Sequence, residues 1–174
     1  RRPVALARRG QDGRHTVSTS YDVVVIGGGP AGENVADRAV QGGLTVALVE
    51  AELVGGECSY WACMPSKALL RPAQALRAAQ RVDGAAQAVT GDLDVGAVLA
   101  RRDSFAADWS DAGQVEWLEG AGIDLVRGHG RITGEREVTV TDGDGGTRVL
   151  LARHAVVVST GSDATIPPID GLAQ

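Results

Sequence analysis

Tyr21–Ile26 (Y-D-V-V-V-I) and Leu44–Val49 (L-T-V-A-L-V) are short apolar runs with almost no polar alternation. Runs of that length predict strands covered on both faces, as in a parallel sheet. Between them G-G-G-P-A-G at 27–32 predicts a tight turn. Pro30–Gln41 then predicts a helix, with Pro in its first turn and Gly42-Gly43 ending it. The whole is a β-turn-α-turn-β unit of about thirty residues, which suits a right-handed crossover.

Downstream, Ser66–Val82 has helical composition, and Pro72 inside it predicts a kink or a restart. Val95–Leu118 predicts a second helical region whose aromatics, Phe105, Trp109 and Trp117, face the core. Ile123–Arg127, Gly130–Ile132, Glu137–Thr141 and Arg148–Leu151 predict short strands, the last two joined by D-G-D-G-G at 142–146. His154–Ser159 predicts a final buried strand, halted by Thr160-Gly161. The fold class expected is α/β: a doubly wound, Rossmann-like parallel sheet plus a small antiparallel β-meander.

Composition narrows this picture. The chain has 174 residues, 24 glycines and six aromatics, with mean hydropathy near zero. That fits one soluble domain built on Val, Leu and Ala. No apolar run approaches the ~20 residues that span a bilayer. Residues 1–20 carry five Arg and one Asp, for +4, so residues 21–174 carry −9 of the net −5. An acidic body offers no electrostatic footprint for nucleic acid. Residues 1–20 are expected to be a disordered basic extension, and a transit segment is the minor alternative. With both cysteines in one motif, a cytoplasmic location is expected.

That motif is G-G-E-C-S-Y-W-A-C-M-P-S-K at 55–67. It holds both cysteines, Cys58 and Cys63, and the only lysine, Lys67. A single Lys in a chain otherwise served by Arg suggests a need for a compact ammonium beside the thiols. On a regular helix, positions five apart point about 140° away from one another. A bridge between them therefore requires a distorted turn. A redox-active dithiol is favoured over a structural disulfide or half a metal site, since the three histidines lie far off in sequence. No metal is expected.

Gly27-x-Gly29-x-x-Gly32 stands in the context that gives it meaning: after a strand, opening a helix, with Glu50 closing the next strand. Its glycines allow a pyrophosphate to approach free N–H groups at the helix N-terminus. Glu50 can accept hydrogen bonds from a ribose.

The chain resembles the class I pyridine nucleotide-disulfide oxidoreductases, flavoenzymes that include dihydrolipoamide dehydrogenase, glutathione reductase and mercuric reductase. The resemblance rests on V-V-V-I-G-G-G-P-A-G at 23–32, the cysteine motif, V-V-V-S-T-G-S at 156–162 and I-P-P-I-D-G-L at 166–172. It implies that residues 21–174 are an N-terminal FAD-binding domain, with NAD(P)-binding and dimerisation domains to follow in a longer, homodimeric enzyme. It implies FAD on Gly27, Gly29, Gly32, Gly56, Thr160 and Gly161, with the adenosine ribose on Glu50 and adenine beside Gly130. Cys63 corresponds to the charge-transfer thiol, Cys58 to the interchange thiol, and Lys67 to the lysine near flavin N5.

The implied activity is an NAD(P)H-linked, dihydrolipoamide dehydrogenase-like disulfide oxidoreductase acting on a small or protein-bound disulfide, with these residues alone expected to be inactive. A mercuric reductase-like enzyme and a non-catalytic FAD-binding module with a structural disulfide are the alternatives. Glu57 stands where the family often has Thr, close to where phosphate is expected. Tyr60 and Trp61 put bulk between the cysteines, which is expected to narrow access to them.

Overall fold

The computed structural model describes residues 4–9, 15–163 and 165–172. Strands β1 (Val4–Arg9), β2 (His15–Ile26), β3 (Val46–Glu50), β4 (Asp124–Arg127), β5 (His129–Gly134), β6 (Glu137–Thr141) and β7 (Thr147–Val158) form one mixed sheet. Its order is β4-β3-β2-β7-β6-β5, with β1 pairing β2. The helices are α1 (Pro30–Gln41), α2 (Gly56–Tyr60), α3 (Cys63–Gln80), α4 (Val95–Phe105) and α5 (Ala112–Ala121).

The apolar runs form buried parallel strands, as their lack of alternation requires. Val23–Ile26 pairs in parallel with Val46–Val49 on one side and Ala155–Val158 on the other. Successive side chains then serve two cores. Val24, Ile26, Ala47 and Val49 pack with Val138, Val140 and Leu150 of the meander. Val23, Val25, Val46 and Leu48 pack with Ala36 of α1 and Leu118 of α5. The parallel strands are thus sandwiched between a helical layer and a β-meander. The expected α/β fold with its antiparallel end is the fold observed.

Several elements differ from expectation. The strands expected at 148–151 and 154–159 are one strand, β7. Between Tyr21/Ala152 and Val23/Ala155 the register slips, so β7 carries one extra residue and bulges at Arg153-His154. The bulge turns Arg153 onto the buried Asp22 carboxylate, with Nε donating at 2.7 Å, and sets His154 Nε2 3.6 Å from it. Arg153, which reads as a break between two strands, instead anchors β7 to Asp22. Thr45 completes the anchor by donating its N–H and hydroxyl to the same carboxylate, each at 2.9 Å.

The region 95–118 is two helices. Ala107, Asp108 and Trp109 take positive φ of 49°, 50° and 56°, reversing the helical hand between α4 and α5. Phe105, Trp109 and Trp117 are exposed rather than in the core. Phe105 and Trp109 lie instead under the guanidinium groups of Arg101 and Arg102, at 4.4 and 5.5 Å. Finally, β1 pairs antiparallel with His15–Ser20, so strands occupy part of the segment expected to be disordered. Backbone pairing extends β2 backward past Tyr21. α3 runs unbroken through Pro72, which gives up one hydrogen bond to the Ala68 carbonyl.

Candidate functional site: a dithiol docked on a dinucleotide turn

The turn after β2 is built from positions where only hydrogen fits. Gly27 has φ +100°, and a methyl there would lie 2.3 Å from the Ser159 carbonyl oxygen and 3.1 Å from Thr160 N. A methyl at Gly32 would lie 1.9 Å from the Gly27 carbonyl oxygen. These two glycines let β7's end, the turn and α1 meet. Gly29 is different: a methyl there meets nothing closer than the Gly56 Cα at 4.0 Å. Its hydrogen faces open approach at the N-terminus of α1, where a phosphate can reach unpaired N–H groups.

Glu50 ends β3 under this turn. Its carboxylate accepts the Gly28 N–H at 2.6 Å and the Glu52 N–H at 2.8 Å. Both oxygens keep acceptor sites for ribose hydroxyls. The Gly128 N–H donates to the Glu50 carbonyl at 2.9 Å, and Gly130 lies against Ile26 and Val49. The ends of β2, β3 and β5 therefore converge on one edge. Thr160 reaches the same edge beside Gly27, whereas Gly161, with φ +73°, is exposed.

The cysteine motif docks directly on this turn. The Gly55 N–H donates to the Gly28 carbonyl at 2.7 Å. A methyl at Gly56, whose φ is +58°, would lie 2.8 Å from the Gly29 Cα. Two helix N-termini, those of α1 and α2, thus meet glycine to glycine. The docked loop is held from behind by Val54, whose N–H donates to Asp111 Oδ2 at 2.9 Å. Burial raises the Asp111 pKa, but the hydrogen bonds from Arg127 and Val54 outweigh it and hold the carboxyl below its usual range.

The distortion that a Cys-x₄-Cys pair requires is present. α2 ends at Tyr60, and Ala62 (φ −118°, ψ −88°) separates it from α3. Both the Trp61 and Ala62 N–H groups donate to the Glu57 carbonyl, at 2.9 and 2.6 Å. The wider turn brings the two cysteines together, unbridged, with Cys58 half-buried and Cys63 exposed. A hydrogen bond between the thiols, burial and the Cys63 charge raise the Cys58 pKa, and the charge of Lys67 partly offsets them. Cys58 is therefore harder to deprotonate than a free thiol. Lys67 lies one turn beyond Cys63 on α3 and is exposed.

Tyr60 does not crowd the thiols. It is buried, its hydroxyl donating to the Val54 carbonyl at 2.9 Å, and its ring meets Trp61 edge-on at 5.7 Å. Only Trp61 remains outside, 47% exposed. The sequence reading missed several structural partners. Ser159 donates to the Gly27 carbonyl at 2.9 Å, and Asp111 pins the loop from 57 residues away. Glu33, in the first turn of α1, has a buried Oε1 with no hydrogen-bond partner. Burial, then the nearby Glu50 charge, push its pKa up. Ser159 adjoins Thr160-Gly161 and was within reach of a pattern; Asp111 carried no local signal.

Among the described residues, no cluster of His, Cys, Asp and Glu could hold a metal, and no helix is long and apolar enough to cross a membrane. The fold is shared with the HOCl-induced flavoprotein disulfide reductase RclA from Escherichia coli, in its Cu(II) complex: TM-score 0.70 at 23% identity, over 86% of this chain and 30% of that one.

Dihydrolipoyl dehydrogenases are similar in sequence. The Acholeplasma laidlawii protein is 32% identical over 91% of this chain and 46% of its own. The Bacillus subtilis protein is 36% identical over 89% and 35%, and dihydrolipoyl dehydrogenase 3 of Pseudomonas aeruginosa 40% over 87% and 33%. The chain thus spans from about a third to about a half of the length of these relatives. The family model for pyridine nucleotide-disulphide oxidoreductases matches residues 21–174, and the chain belongs to that family.

Proposed function

We propose that this chain is the FAD-binding, dithiol-bearing portion of an NAD(P)H-linked disulfide oxidoreductase of the dihydrolipoamide dehydrogenase type. The observation that carries the reading is the contact of Gly55-Gly56 with Gly28-Gly29. It ties the only two cysteines to a dinucleotide turn by backbone, so neither can move without the other. A structural disulfide in a flavin module has no need of that coupling, nor of Lys67 beside the thiols.

The residues fit FAD. Gly29 leaves open approach to the α1 N-terminus, Gly27 and Gly32 close the turn beneath it, and Glu50 retains free acceptor sites. In this reading Gly27, Gly29, Gly32 and Gly56 receive the pyrophosphate, and Glu50 the ribose. Gly130 lies beside adenine, with Thr160 and Gly161 along the dinucleotide. FAD supplies two-electron chemistry between NAD(P)H and the thiols. In this reading Cys63, at the start of α3, is the thiol beside the flavin, and Cys58 is the thiol that exchanges with substrate once deprotonated. Lys67 favours the thiolate by charge.

The substrate is a disulfide, the longer enzyme a homodimer, and a thiol pair of this kind belongs in a reducing cytosol. The test is the cofactor content of the longer enzyme. It is expected to purify yellow, with one FAD per chain released on denaturation. Gly56→Val, which drives side-chain atoms into Gly29, is expected to purify without it. A colourless parent enzyme overturns the reading.

A further inference from the structure

Trp61 is an exposed indole held in one place. Its ring is fixed edge-on against Tyr60, which is itself buried and anchored to Val54, so the plate stands at the helix break between Cys58 and Cys63. Glu57 precedes it by one helical turn, and the Trp61 N–H donates to the Glu57 carbonyl. Residues four apart share a helix face, and both side chains are exposed. An indole face attracts cations, and a carboxylate one turn away adds Coulomb attraction. Among the described residues Glu57 forms no ion pair, so its charge is open to a ligand on this face.

We propose that Trp61 and Glu57 form a recognition edge for disulfides that carry an ammonium or guanidinium group beside the sulfur–sulfur bond. The inference rests on the disulfide oxidoreductase reading and narrows its substrate to a chemical class. Deprotonated Cys58 attacks one sulfur of R–S–S–R. The substrate bond breaks, a Cys58–S–S–R mixed disulfide forms, and the departing thiolate takes up the proton that Cys58 gave up. Cys63 then attacks the Cys58 sulfur and expels the second thiolate. The dithiol gives up two electrons and two protons, and the substrate leaves as two thiols. During the first step the R group lies against Trp61, with its cation between the indole and Glu57.

The test uses the longer enzyme with its cofactor bound and the dithiol reduced by two electrons. Exchange rates are measured anaerobically with cystamine (cationic), 2-hydroxyethyl disulfide (neutral) and dithiodiglycolate (anionic). Each is divided by the rate of the same disulfide with dithiothreitol, and adduct formation is read by mass spectrometry after acid quench. The enzyme is expected to prefer cystamine over the neutral disulfide about fivefold beyond the dithiothreitol ratio. Trp61→Leu is expected to bring that ratio to within twofold of dithiothreitol, and Glu57→Gln to remove the part that falls with added salt. A wild-type ratio equal to that of dithiothreitol overturns the proposal, as does a preference that survives in both variants. Failure to exchange with any of the three disulfides overturns the oxidoreductase reading itself, and this inference with it.

Discussion

The turn at Gly27–Gly32 with its docked cysteine loop, and the arm made by α3 and α4, are opposite in construction. The first is closed by backbone: Gly55 on Gly28, Gly56 against Gly29, Gly32 against the Gly27 carbonyl. The second buries only Pro65 and Ala68 of α3 and nothing of α4, and leaves Leu69, Leu70, Val82, Val95 and Leu99 exposed. The arm is the more apolar region and the less buried one. Burial in this molecule follows packing on the sheet and does not follow local hydrophobic content.

The contrast can be broken by substitution. Gly32→Ala places a methyl on a backbone oxygen that cannot move aside, and is expected to lower the unfolding free energy by about 3 kcal/mol. The midpoint of a urea titration measures it. Tyr60→Phe keeps the ring but leaves the buried Val54 carbonyl without its donor, for an expected loss of about 1 kcal/mol by the same titration. Leu70→Ala on the arm, at a residue 59% exposed, is expected to change stability by less than about 0.5 kcal/mol. An arm substitution that costs as much as the one at Gly32 would erase the distinction.

A buried carboxyl, Asp22, and a half-buried one, Glu33, sharpen it further, because they respond to pH with opposite sign. Asp22 is held far below the carboxylate range, first by the hydrogen bond from Arg153 and then by those from Thr45. Its stabilising contribution is in place above the ordinary aspartate pKa and is lost only as strong acid protonates the folded state. Glu33 is raised, so the folded state binds its proton more tightly than the unfolded chain. Its contribution is present below the ordinary glutamate pKa and declines as pH rises through the higher folded value. Urea midpoints taken from pH 4 to pH 9 are expected to fall with rising pH in the wild type by more than in Glu33→Gln, which is also the more stable near neutrality. Parallel profiles would show that Glu33 is ionised freely in the folded chain.

Much of the cofactor edge was legible in the sequence, for physical reasons. Val23–Ile26 and Val46–Val49 cannot be half-solvated strands, since neither face offers a polar side chain. Gly27 and Gly32 lie at the spacing where strand, turn and helix must touch. What the sequence left hidden was long-range or compensatory. Arg153 and His154 break an apolar pattern, yet pairing of Arg153 with Asp22, 131 residues earlier, keeps β7 continuous. Phe105, Trp109 and Trp117 read as core by hydrophobicity, but the left-handed turn at 107–109 ends the helix and leaves them outside. Tyr60 read as an obstacle to substrate because its burial depends on Val54 and Gln114, which no local spacing announces.

The central claim is that docking on the dinucleotide turn gives the two thiols different partners, the flavin for Cys63 and substrate for Cys58. The most direct measurement is the long-wavelength thiolate–flavin absorption of the longer enzyme reduced anaerobically by two electrons, in the wild type and in the two single Ser variants. The account predicts a band in the wild type, its loss in Cys63→Ser, and its persistence in Cys58→Ser even without reductant. A band retained equally by both variants, or lost only in Cys58→Ser, would contradict it.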